Sequence, residues 1–253
     1  MSQVRSGPLI GLIVQFALLA ALAATAGLGA AGWLTGAVFG FGLCAIVWRA
    51  MARAELVHYG PADWVTQTRA SLVGCVTALV ADGFVRPAPV AILVTLASVA
   101  LALDLVDGRV ARRTRTASEF GARYDMEVDA FLIFVLSVHV SRTLGWWVLV
   151  IGVMRYAYVA ARWVLPLLRA SVPPRYWNKV VAAIQGVVLT AAASGLLPTV
   201  VSVVAAVGAL VLLVESFGRE IVLQVRLAQA RVDIPGPAQR AEPVKQRHKA
   251  GRA

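Results

Sequence analysis

The sequence predicts an all-α, polytopic transmembrane helical bundle, and three observations carry that prediction. Hydrophobic residues make up 59% of the 253 positions and charged residues 15%, with a mean hydropathy of +0.76, a balance too apolar for a soluble domain of this length. Apolar runs near the roughly 20 residues that a helix needs to cross the hydrocarbon core recur along the chain. Lysine and arginine gather after alternate runs, as they do in cytoplasmic loops. The net charge of +11 thus has a topological explanation, and no nucleic-acid partner is expected.

Taken in order, the runs fall at about residues 9–29, 31–48, 66–83, 88–107, 124–141, 145–165, 179–197 and 199–217, which makes eight spans. The joins from Gly27 to Gly32 and from Ser194 to Pro198 are so short that the helices they connect must be antiparallel hairpins. The first run follows a single early arginine, Arg5, in the manner of a signal peptide. A second run follows almost at once, so a retained anchor is expected. Cys44 and Cys75 both lie inside apolar runs without metal-ligand spacing and read as small buried hydrophobes.

Orientation follows from the basic residues. One set of ends carries Arg5, Arg49, Arg53, Arg109, Arg112, Arg113, Arg115, Arg123, Arg169, Arg175, Lys179 and Arg219, and the opposite set only Arg86 and Arg142. Both termini are therefore expected on the cytoplasmic side of a cell (inner) membrane. The chain divides into two N-terminal spans (1–48), a juxtamembrane connector (49–65) that has the spacing of a short interfacial helix, a membrane core (66–222), and a basic tail (223–253). The tail contains Pro235, Pro237 and Pro243 and few large apolar groups, and is expected to be disordered.

The chemistry is concentrated between the fourth and fifth runs. Asp104 and Asp107 stand at i,i+3, and Asp125 and Asp129 at i,i+4, so on helices each pair occupies one side. Carboxylates crowded at the edge of an apolar bundle repel one another and lose hydration, unless a cation sits among them. Oxygen-only ligands point to a hard divalent ion, Mg2+ or Mn2+, and four carboxylates suit two such ions. A solvated acidic loop between two spans is the plain alternative.

With Gly108, Ala111, Arg112 and Gly121, the aspartates spell D-x2-D-G-x2-A-R-x8-G-x3-D-x3-D without a mismatch. This pattern resembles the signature of the CDP-alcohol phosphotransferase family, integral membrane enzymes that displace CMP from a CDP-linked lipid or alcohol. Eight fixed positions make it far more specific than a lone glycine motif. The resemblance covers about residues 60–222 and implies a six-span core, to which the first two spans are an addition. Relatives also carry P-N-x-x-T-x-x-R before the first core span; here Ala62-Asp63-Trp64-Val65-Thr66-Gln67-Thr68-Arg69 keeps the threonine and the arginine and replaces Pro-Asn.

Carried over residue by residue, the resemblance implies metal ligation by Asp104, Asp107 and Asp125. Asp129 is implied as general base, close enough to count among the metal-site carboxylates. Gly108, Ala111 and Gly121 would line the cytidine pocket and Arg112 would fork onto phosphate oxygens. Asp63 and Thr66 are expected near the nucleotide, a helix cap being the alternative. Arg155 and Arg162, seven residues apart on one helical face, are candidates for binding a phosphorylated acceptor; the alternative for Arg155 is pairing with an acid of the core. Glu127 reads as one member of a structural ion pair or as an altered acceptor site.

The function expected on these grounds is metal-dependent transfer of a phosphatidyl group from CDP-diacylglycerol, or another CDP-alcohol, to an acceptor alcohol with release of CMP. Its rivals are transfer of a CDP-linked head group to a lipid hydroxyl and, outside the class, divalent-cation transport. Membrane lipid is an expected partner, and the resemblance implies a homodimer.

Overall fold

The computed structural model describes residues 6–53, 60–114, 119–165 and 176–232, with side chains left aside at 6, 61–62, 105–114, 119, 176, 228 and 230–232. Eight α-helices make up these residues: α1 (Ser6–Ala26), α2 (Ala30–Arg53), α3 (Pro61–Asp82), α4 (Val90–Thr114), α5 (Glu119–Leu144), α6 (Leu149–Val164), α7 (Tyr176–Ala193) and α8 (Thr199–Val232). No strand occurs among the described residues. The fold is the helical membrane bundle that the apolar runs predict.

Among the described residues, four segments are long and apolar enough to cross a membrane: Gly7–Ala26, Ala30–Arg53, Trp146–Val164 and Thr199–Leu227. Among the remaining helices, α4 and α7 contribute shorter apolar stretches, Val90–Asp104 and Trp177–Ala193, and the central helices carry polar groups in their interiors: Arg69 on α3, Asp104 on α4, Asp125 and Asp129 on α5, Gln185 on α7. Those helices also form the centre of the bundle. α3 packs against α1, α2, α4 and α5, while α5 packs against α3, α6 and α7. Between them lies an apolar core that includes Val73, Val76 and Leu79 of α3, Leu93 and Ala97 of α4, Leu132 and Leu136 of α5, and Leu189 of α7. In lipid such a core is held by van der Waals packing and interhelical hydrogen bonds more than by water exclusion.

Helix ends differ from the apolar runs in ways local chemistry explains. α2 continues through Arg49–Arg53, five residues into the expected connector, because nothing there breaks a helix; the next part of the connector, 54–59, lies outside the described residues. α8 runs on to Val232. The tail expected to be disordered from 223 is therefore helical over its first ten residues, since good helix formers continue until Pro235. Residues 233–253 lie outside the described residues. Both expected hairpins are present, and each turns on a glycine in the left-handed region, Gly27 (φ 69°) and Gly195 (φ 66°).

The N-terminal hairpin is fastened to the core at the end of the bundle away from the aspartates. Asp82, buried at the end of α3, accepts hydrogen bonds from the Gly29 amide at 3.1 and 3.2 Å, so its carboxylate caps the N-terminus of α2. Arg86 pairs with Asp82 and donates to the Gly27 carbonyl at 2.6 Å. Asp82→Ala is expected to cost about 1–3 kcal/mol, because the Gly29 amide loses its acceptor and Arg86 its partner. Thermal unfolding in detergent would read this as a lowered melting temperature.

Candidate metal and substrate site

Three of the four motif aspartates converge. Ligand oxygens of Asp104 on α4 and of Asp125 and Asp129 on α5 all lie within 4.8 Å of one another. α4 carries the first motif half as unbroken helix to Thr114, and positions 104, 107, 108, 111 and 112 have the spacing of one helical face. Asp107, Ala111 and Arg112 have side chains outside the described residues, and Gly108 falls in the same stretch. Gly121 sits in the first turn of α5, half-buried.

At the focus of the three carboxylates lies a side chain to which the sequence reading gave no role. Arg69, in the middle of α3, is 1% exposed. Its Nη1 contacts Asp104 at 3.1 Å and pairs with Asp125, its Nη2 pairs with Asp129, and its Nε donates to the Ala100 carbonyl at 3.2 Å. A guanidinium suits this position because its planar fork can serve three acids from one centre. Two signals in the sequence pointed to it: an arginine inside a span is costly and rarely idle, and it closes the T-x-x-R pattern.

The donor set fits a hard divalent cation. All three described ligands are carboxylates, they come from two helices, and their spacing brings oxygen atoms to a common centre. Arg69 brings one positive charge to three carboxyl groups, and a divalent cation among the same oxygens would add to that neutralisation.

Around this centre the other expected residues take different places. Asp63 is buried at the third position of α3 and accepts the Gly60 amide at 2.8 Å, so it caps that helix. Thr66 is buried one turn before Arg69. Gln67 accepts a hydrogen bond from the Tyr124 hydroxyl at 2.9 Å. Arg155 on α6 donates to Glu127 on α5 at 2.6 Å, and among the described residues its buried Nε has no hydrogen-bond partner. Arg162, two turns further along α6, is half-buried.

A second polar network joins the last three helices at the same end of the bundle. Tyr158 of α6 and Asn178 of α7 both donate to Glu220 of α8, at 2.8 and 3.0 Å, and Ser216 donates to Asn178 at 3.0 Å. Part-buried interhelical hydrogen bonds of this kind fix the relative register of helices that otherwise present apolar faces.

Fold and site together define a class: a polytopic helical membrane protein whose central helices bring acidic side chains to one point beside a buried arginine. The family model for CDP-alcohol phosphatidyltransferase matches residues 59–215, and the chain belongs to that family. The match takes in α3 to α7 and the first half of α8, together with every residue of the acidic cluster. No curated protein and no solved structure matches the chain. Membership makes this a transferase that acts on a CDP-linked alcohol and an acceptor alcohol.

Proposed function

We propose that the protein transfers a phosphatidyl group from CDP-diacylglycerol to an acceptor alcohol and releases CMP, in a reaction that requires a divalent cation. The observation that carries this reading is the convergence of Asp104, Asp125 and Asp129 within the family's span. A bound Mg2+ or Mn2+ pair supplies charge neutralisation and Lewis acidity at the diphosphate. Asp104, Asp107 and Asp125 are the residues that would hold it. Asp129 is the base: it takes the proton of the acceptor hydroxyl as the new oxygen–phosphorus bond forms and the bond from phosphorus to the CMP oxygen breaks. Gly108, Ala111 and Gly121 leave room for the cytidine, and Arg112 contacts phosphate oxygens.

A lipid donor suits a cluster carried on the helices of a membrane bundle, since acyl chains can stay in the bilayer while the head group enters. The site opens to the cytoplasm on this account. Arg86 lies in the turn that follows α3 and Arg142 in the last turn of α5, whereas the basic residues of the other ends accompany the aspartates. Transport of the cation itself is disfavoured by Arg69, since a guanidinium bound among the carboxylates would obstruct an ion pathway.

Arg155 is proposed as an acceptor-phosphate contact, because it has a buried donor left over after pairing with Glu127. The experiment is incubation of purified protein with labelled CDP-diacylglycerol, Mg2+ or Mn2+, and a panel of acceptors: glycerol 3-phosphate, inositol 1-phosphate, inositol and serine. CMP release dependent on one acceptor is the expected result. If that acceptor is phosphorylated, Arg155→Ala should raise its KM by about 10- to 100-fold, the equivalent of roughly 1.5–3 kcal/mol for one charged hydrogen bond, with little change in nucleotide binding. An unaltered acceptor dependence removes Arg155 from the pocket. Turnover only of a small CDP-alcohol with a lipid hydroxyl would replace the donor assignment.

A further inference from the structure

We infer that the N-terminal hairpin, which lies outside the family match, is a positioning element of the site: α1 holds Gln67, and Gln67 holds Tyr124 beside Asp125. This rests on the transferase reading above and extends it to a part of the chain that the family core does not contain.

The argument starts from α3. Positions 67, 74, 78 and 82 follow one another at seven, four and four residues and share one face of that helix. The hairpin covers each of them. Gly11 lies against Gln67, Gln15 against Gly74, Gly32 and Gly36 against Ala78, and Gly29 is bonded to Asp82. Arg69, two residues past Gln67, is about 200° further round the helix and faces α4 and α5 with its three aspartates. α3 is therefore a wedge between the hairpin and the acidic cluster, and its lateral position sets where the guanidinium sits.

At the level of the cluster the contact is closest. A methyl group at Gly11 would stand 2.2 Å from Gln67 Nε2 and 2.5 Å from its Cδ, so only glycine lets α1 approach to this distance. Gln67 is 5% exposed and cannot swing into solvent. On its other side its Oε1 receives the Tyr124 hydroxyl at 2.9 Å, and the Tyr124 ring, also buried, stacks on Phe120 with centroids 5.9 Å apart. Asp125 is the next residue along α5. A push on Gln67 from α1 is directed at Tyr124 of α5 and at the α3 backbone that carries Arg69.

Four full-length variants test this: Gly11→Val, Gln67→Ser, the two combined, and Gly42→Val. Gly42 belongs to the same hairpin but meets nothing within 4 Å, so its variant controls for disturbance of the hairpin in general. Gly11→Val is expected to lower kcat on the order of 10- to 100-fold, as a displacement approaching 1 Å does, and to weaken Mn2+ binding, with Gly42→Val unchanged in both. Gln67→Ser shortens the side chain that valine strikes, so the double variant should be no worse than Gln67→Ser alone. Wild-type kcat and Mn2+ affinity in Gly11→Val would overturn the inference, and so would losses that multiply in the double variant. If valine prevents folding, Gly11→Ala carries the same comparison with one methyl. Should the wild type release no CMP with any acceptor, the transferase reading fails while the Mn2+ titration still decides the positioning role.

Discussion

Asp129→Asn is expected to reduce CMP release by about 10²- to 10⁴-fold, the range that a positioned general base contributes, while nucleotide binding persists. The substitution keeps the shape of the side chain and an oxygen to accept the Arg69 hydrogen bond, but it removes the basic electron pair. Asp104 and Asp125 remain to hold a cation, so Mn2+ binding should weaken less than turnover falls. Steady-state CMP release and equilibrium binding of a CDP-linked ligand, measured on the same preparation, separate the two effects. Unchanged release would take the base assignment away from Asp129.

The second large effect concerns stability. Arg69→Met leaves three converging carboxylates without their shared guanidinium, and breaking a buried ion pair on one side costs about 3–5 kcal/mol. In chelator the variant should unfold well below the wild type, and Mn2+ should raise its melting temperature by more than it raises that of the wild type, because the ion then supplies the counter-charge that Arg69 gave. Arg69→Lys is expected to restore little, since an ammonium cannot reach three acids from one centre. Identical unfolding of Arg69→Met and wild type in chelator would show that the contacts around Arg69 do not stabilise the bundle.

Much of the fold was legible because lipid imposes a simple rule: each span must be apolar and long enough, and each of the eight runs corresponds to a helix. Helix ends were less legible. Hydropathy marks where the hydrocarbon stops and says nothing of a helix that continues past it, which is why α2 reaches Arg53 and α8 reaches Val232. For the site, spacing was enough to pick out Asp104, Asp125 and Asp129, since side chains three or four apart share a helical side. The partnership of Arg69 with them was not readable in this way, because it depends on the rotation of α3 against α4 and α5. The same holds for Gly11, whose value lies in how closely α1 approaches Gln67. Asp63 caps α3 and Arg155 pairs with Glu127, in each case the structural role that the sequence offered beside a binding one.

The account stands on the capacity of the acidic cluster to hold a divalent ion, and direct titration of the purified protein with Mn2+ tests it. Electron paramagnetic resonance of free Mn2+ should reveal saturable binding to the wild type, lost or strongly weakened in Asp104→Asn and in Asp125→Asn. Binding that is absent from the wild type, or undiminished in both variants, would contradict it.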